Sequence, residues 1–165
     1  MELQYAHDSN LALINNIFNY NQATEKGGAA YVAGSRITSS LNNYMNNTAD
    51  NGGAIYFDEK CYNSSVMTDM FINNATTSNG GAIYSSTDNN VFITNSGFMN
   101  NTVKNGRPIC AGKGIVYSKA NTFDNETDFI PFLNTASENC RFISMGIQNT
   151  GSDGKIVPII DLLKL

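Results

Sequence analysis

The stretch "NGGAIYFDEK", Asn51 to Lys60, decides the fold, because the chain writes it more than once. A near copy, "NGGAIYSSTD", starts at Asn79, and a weaker one, "KGGAAYVAGS", at Lys26. Working outward, each glycine pair follows an aromatic by a fixed interval: "FNYNQATEKGGAAY" from Phe18, "YMNNTADNGGAIY" from Tyr44 and "FINNATTSNGGAIY" from Phe71. "FMNNTVKNGRPIC" from Phe98 keeps the frame with Gly106 alone, "FDNETD" from Phe123 is fainter, and "GIQNTG" puts Ile147 in the aromatic slot. The steps between these anchors are 26, 27, 27, 25 and 24 residues. The tyrosine slot agrees independently: Tyr5, Tyr31, Tyr56, Tyr84, then Cys110.

Other columns share the period. Seven residues before the aromatic stand Leu11, Ile37, Ser64, Val91 and Val116; five before stand Leu13, Ser39, Val66, Ile93 and Ser118. Two mostly apolar columns two residues apart have strand periodicity. Three after the aromatic stand Asn21, Asn47, Asn74 and Asn101, with Glu126 breaking the series. Ala23, Ala49, Thr76 and Val103 follow two further on, all small or β-branched.

A repeat of this length is too short for a propeller blade, and it lacks the leucine frame of a leucine-rich repeat. The reading is all-β: a right-handed, single-stranded parallel β-helix of about five to six coils, roughly 26 residues each, stacked about 4.8 Å apart so that a column becomes a ladder. Phe18, Tyr44, Phe71, Phe98 and Phe123 then stack inside. Ala30, Ile55, Ile83 and Ile109 line another wall. Asn21, Asn47, Asn74 and Asn101 pass amide hydrogen bonds between coils. Gly27 and Gly28, Gly52 and Gly53, and Gly80 and Gly81 turn corners. A phosphate cradle fits poorly, since no Lys-Ser/Thr and no helix follows the glycines. An antiparallel array with Gly-Gly hairpins is the rival, but the block before each pair reads as turn. Residues 1–10 form a partial first coil, 11–112 regular coils, 113–154 degenerate coils, and 155–165, "KIVPIIDLLKL", an apolar end that caps the stack or meets a further coil.

Composition bounds the partners. The chain has 165 residues, 41% hydrophobic and 15% charged, with 25 Asn and 17 Phe plus Tyr. Those aromatics argue for a packed core rather than disorder. A net charge of −4 leaves no basic footprint for nucleic acid. There is no apolar run of membrane-spanning length and no signal-peptide pattern at the start. Cys61, Cys110 and Cys140 cannot all pair and show no CxxC spacing, so packed thiols are expected rather than a disulfide framework or zinc site.

Chemistry is sparse. Glu25 and Asp50 share a column two before the glycine pair, a carboxylate pair only if coils stack, and a solvated turn otherwise. Asp58 and Glu59 are adjacent and would point opposite ways in a strand. Asp124, Glu126 and Asp128 alternate, but no calcium-loop pattern surrounds them. His7 is the one histidine, without an evident Cys partner. No catalytic residue, metal or cofactor is expected. Sequons stand at Asn46, Asn63, Asn74, Asn100 and Asn125, and Asn74 could not carry a glycan if it points inward.

The paired signatures FxxN (Phe18–Asn21, Tyr44–Asn47, Phe71–Asn74, Phe98–Asn101) and GGA[ILV] (at Gly27, Gly52 and Gly80) resemble those of the polymorphic outer membrane proteins, and adhesin-like repeats of the same style. Tyr44 and "GGAA" depart from the pattern. The resemblance covers residues 11–112 well and the rest faintly. It implies a secreted autotransporter passenger at the cell surface or outer membrane, adhering to a host-cell or neighbouring-cell protein or glycan, of which this chain is a fragment. The alternatives are a β-helix polysaccharide lyase or glycoside hydrolase, and a structural spacer without a partner.

Overall fold

The computed structural model describes residues 4–86, 89–103, 107–112 and 115–124, and the strands at 142–144 and 150–151. Among these residues every regular element is a strand and every strand pairing is parallel. The chain is a parallel β-solenoid whose coils put successive strands into four sheets. The tyrosine face holds Gln4–His7, Ala30–Ala33, Ile55–Phe57, Ile83–Ser85 and Ile109–Ala111. The broad face holds Asn10–Ile14, Arg36–Ser40, Ser64–Met67, Asn90–Thr94, Ile115–Lys119 and Phe142–Ser144. The aromatic face runs from Ile17–Asn19 through Asn43–Met45, Met70–Ile72, Gly97–Met99 and Thr122–Phe123 to Thr150–Gly151. A short face joins Thr48–Asn51, Ala75–Asn79 and Thr102–Val103.

Four coils close between Tyr5 and Cys110, a little fewer than the five to six expected. Counting anchors counts rungs, and a stack has more rungs than completed turns. The sixth rung of the aromatic column also moves: Phe123 pairs with Gly151, whereas Ile147 was expected there and lies outside the described residues. "GIQNTG" carries no aromatic to fix its register, so strand pairing decides it.

The period-two pattern explains the core. On the tyrosine face Ala30, Val32, Ile55, Phe57 and Ile83 are fully buried, and the tyrosines between them point the other way. Ile37, Val66, Val91, Ile93 and Val116 close the broad wall. Phe18, Tyr44, Phe71, Phe98 and Phe123 stack ring on ring at 4.8, 4.8, 4.8 and 5.1 Å, within 12° of parallel. Each rung buries a large apolar area and gains an offset-stacking contact beyond it.

Corners are built from two devices. At Gly52 the backbone is left-handed, φ +63°, which glycine enters without a Cβ clash. Gly53 serves differently: a Cβ there would meet the Gly81 carbonyl oxygen at 2.2 Å and the Ala75 carbonyl oxygen at 2.8 Å, so its missing side chain lets coils approach. The corner between the broad and aromatic faces is left-handed in every coil, at Asn15, Leu41, Thr68, Asn95 and Ala120. Asparagine tolerates that region better than leucine or threonine.

Candidate functional site

The face that reaches solvent with chemistry is the tyrosine column. Because Ala30, Ile55 and Ile83 turn inward, Tyr5, Tyr31, Tyr56 and Tyr84 stand on the outer surface, one per coil. Their rings stack at 5.4, 5.8 and 5.1 Å between centres. Tyr5 is 64% exposed, while Tyr56 is covered to 6%. The cover is Lys26, whose Nζ lies 4.9 Å from the Tyr56 ring centre and 5.7 Å from that of Tyr31.

Asp58 ties this column together. Its Oδ2 accepts from Lys26 Nζ at 2.9 Å and from the Tyr31 hydroxyl at 2.5 Å, and Oδ1 accepts from Ser86 Oγ at 3.2 Å and the Glu59 N–H at 3.0 Å. Burial alone would raise the Asp58 carboxyl, but the Tyr31 and Lys26 hydrogen bonds outweigh it and hold the group below the usual carboxylate range. The hydrogen bond to Asp58 raises Lys26 against its partial burial. Burial, then the same carboxylate, pushes Tyr31 well above an ordinary phenol. Asp58 and Glu59 are thus neighbours in a turn, not opposite-facing strand residues. Beside this cluster an open groove of about 600 Å³ is lined by Tyr5, Tyr31 and residues 22–26.

The other candidate chemistry disperses. Glu25 and Asp50 are exposed, and Asp50 Oδ1 accepts from Thr77 Oγ1 at 2.5 Å in the next coil. Asp124 accepts from the Asn100 N–H, and Glu126 and Asp128 lie outside the described residues, as do Gly106 and Cys140. His7 Nδ1 sits 3.0 Å from Asp8 at the surface. Cys61 is a free, buried thiol that donates to the Val32 carbonyl at 3.2 Å. Cys110 is disulfide-bonded, which corrects the packed thiol expected of it. Coil geometry, not spacing along the chain, decides which sulfurs meet. Among the described residues no group of three His, Cys, Asp or Glu is placed to hold a metal ion.

The asparagine column lies inside. Asn47 Oδ1 accepts from the Asn21 N–H at 3.0 Å and its amide at 2.8 Å; the Asn47 amide donates to Asn74 Oδ1 at 2.9 Å and back to the Phe18 carbonyl at 3.0 Å. Asn74 repeats this toward Asn101 and the Tyr44 carbonyl. A second ladder escaped the column reading, two positions before each aromatic: Asn16, Asn42, Asp69, Ser96 and Asn121. Asn42, Asp69, Ser96 and Asn121 each accept the backbone N–H of the ladder residue one coil before, at 2.8, 2.7, 3.2 and 2.8 Å. The recurrence of short polar residues at that offset was the available signal, hidden by three different residue types.

Three segments, residues 17–33, 45–58 and 70–86, match the family model of the Chlamydia polymorphic membrane protein repeat. These three segments are similar to polymorphic membrane protein repeats. No curated protein and no solved structure matches it. The matched segments 17–33 and 70–86 run from the aromatic rung to the tyrosine face, 45–58 starts just after the Tyr44 rung, and all three include the corner glycines. The family's signature residues Phe71, Asn74, Gly80, Gly81 and Ile83 are therefore frame: rung, ladder, corner and wall.

Proposed function

We propose that the chain is part of an adhesin-like passenger at the cell surface or outer membrane, a non-catalytic rod that presents its outward columns to a receptor on a host or neighbouring cell. The observation that carries the reading is the split between the two sides of the coil. The repeated residues of the matched segments are largely buried as frame, while the outward residues change from coil to coil, as in Glu59 and Lys60 after Tyr56 against Gly34 and Arg36 after Tyr31. Such a rod keeps one scaffold while its surface varies. A disulfide at Cys110 suits an oxidising, exported environment.

The chemistry of the surface supports a binding role over catalysis. A general base works best with a pKa near the operating pH. Lys26 and Tyr31 are both shifted upward, away from that range, and Asp58 is occupied by four donors. Asp69, the carboxyl pushed up to about 6, is sealed at 0% exposure where no substrate reaches it. The test is saturable binding of the purified, fluorescently labelled chain to cultured epithelial cells, with an unrelated β-solenoid as control. Binding no greater than the control's removes the adhesin reading in favour of a spacer. Release of reducing ends from a polysaccharide panel removes the non-catalytic part.

A further inference from the structure

The corner between the tyrosine face and the broad face changes length along the stack. Asp8 and Ser9 alone turn it in the first coil and Gly34 and Ser35 in the second, whereas residues 58–63 turn it in the third. The longer loop forms a ledge beside the two short corners, and insertions of this kind in solenoids often mark the binding face. Against the ledge lies a notch of about 380 Å³ whose lining includes Arg36, Lys60 and Tyr62. It opens sideways between the first and third coils, not at the end of the stack. We infer that this notch is a binding site for an acidic sugar at the end of a glycan, its carboxylate held by Arg36 and Lys60. The inference deepens the adhesin reading by naming a receptor chemistry, and it rests on that reading for its biological setting only.

Three observations select this ligand. The first is rigidity. The ledge is pinned from within along its length. Asp58 accepts from Lys26 and Tyr31, the Glu59 carbonyl accepts the Gly34 N–H at 2.8 Å, and the Cys61 N–H donates to Asn89 Oδ1 at 2.8 Å. Lys60 and Tyr62 lie between and beyond these anchors and are exposed, Tyr62 to 50%. A loop held in this way presents both side chains with little ordering cost on binding.

The second is charge. Among the described residues the ion pairs are His7 with Asp8 and Lys26 with Asp58, so Arg36 and Lys60 line the notch without a carboxylate partner. Asp8, the acidic residue of the lining, is 3.0 Å from His7 Nδ1. Two cations against one anion leave the notch locally positive on a chain that carries −4 overall. A guanidinium grips a carboxylate in a planar fork, and an ammonium beside it adds further donors. The third is the remainder of the lining. Ser9, Asn10 and Ser35 are polar and uncharged, suited to sugar hydroxyls, and the Tyr62 ring offers an apolar surface to a pyranose face. A bare anion leaves those groups unused. Small-ligand sites begin at about 300 Å³, so the notch takes the end of a glycan rather than the length of one.

Other features carry less. Asp69 and Cys61 are sealed in the core, and nothing marks an occupant for the exposed Ile14, Ile17 and Leu41 at the corner of the broad and aromatic faces.

The test is a nuclear magnetic resonance titration of the 165-residue chain with sialyllactose. Lactose is the neutral parent, and triglutamate stands for an acidic peptide. Sialyllactose binds, and both comparisons bind at least about tenfold more weakly. Arg36→Gln and Lys60→Gln, at exposed side chains, each weaken binding about tenfold with unchanged melting curves. Lys119→Gln, exposed on the same face three strands further along the sheet, leaves it intact. Absence of sialyllactose binding, equal binding of lactose or triglutamate, or full affinity in both Arg36→Gln and Lys60→Gln overturns the proposal. Cell binding measured in parallel separates the two readings. Cell binding that sialyllactose does not compete sinks the notch as the receptor site and leaves the adhesin. Sialyllactose binding without cell binding keeps the notch and sinks the adhesin.

Discussion

Asp69 offers the sharpest test of how this stack is held. It stands in the second ladder where Asn42 precedes it and Asn121 follows two coils on. Its Oδ1 accepts from the Asn42 N–H at 2.7 Å and the Asn42 amide at 3.2 Å, and its Oδ2 accepts from Ser39 Oγ at 2.5 Å. No ion pair found among the described residues involves it. Burial pushes its carboxyl from 3.8 up to about 6, against the lowering effect of those hydrogen bonds. A shift of about two units corresponds to ~3 kcal/mol between the protonation states. Because the folded value is raised, the native state holds the proton more tightly. The contribution of Asp69 to stability is greatest below pH 3.8, falls as pH rises towards about 6, and is flat above that.

Asp69→Asn removes the charge and keeps the acceptor for Asn42. It also reverses a relay. The Tyr44 hydroxyl lies 2.8 Å from Ser39 Oγ, which donates to Asp69, so Tyr44 donates to Ser39. An amide at 69 donates to Ser39 instead and leaves the Tyr44 proton unpartnered, at a cost of about 1 kcal/mol. The net gain at pH 8 is therefore ~2 kcal/mol, or roughly 4–8 °C in Tm for a chain of this size. Urea unfolding followed by circular dichroism at pH 4 and pH 8 measures it. The gain shrinks towards zero or reverses at pH 4, and adding Tyr44→Phe recovers the lost kilocalorie at pH 8. A variant that is neutral or weaker at pH 8, or equally stabilised at both pH values, refutes the account of Asp69 as a strained carboxylate.

Asn74→Ala removes an acceptor for both the N–H and the amide of Asn47, and destabilises by about 1–3 kcal/mol in the same unfolding assay. Gly53→Ala drives a methyl into the Gly81 carbonyl and costs about 3 kcal/mol; a folded variant with unchanged Tm would show that coils can separate there at no cost. Leu41→Asn relieves a 56% exposed leucine held at φ +58° and raises stability by about 1 kcal/mol, read as a higher midpoint in urea. In a glycosylating secretory host, Asn63 is an accessible sequon and Asn74 is sealed, so peptide mass mapping finds glycan at the first and never at the second.

Much of this architecture was legible because a solenoid writes its contacts into its period. When coil follows coil in register, residue spacing along the chain becomes vertical neighbourhood, so Phe18, Tyr44, Phe71 and Phe98 announce a stack without any long-range inference. Apolar alternation then tells inside from outside, as at Ile55 beside Tyr56. The reading faded where the repeat lost its anchors. Ile147 carries no aromatic to set register, and strand pairing placed Gly151 opposite Phe123 instead. Columns of mixed type, such as Asn42, Asp69 and Ser96, share hydrogen-bond geometry rather than identity, and so stayed hidden.

The sequence by itself determined the coil length, the strand class, the aromatic and asparagine ladders and the corner glycines, because each follows from local periodicity and backbone sterics. Only the tertiary structure decided which sulfur is bonded, that Asp58 gathers Lys26, Tyr31 and Ser86 across three coils, and that Asp69 is sealed in the core with hydroxyl and amide donors. Those facts depend on side chains from different coils converging at angles the period does not encode. The surface, where any binding must occur, is built from such convergences, whereas the frame is built from repetition.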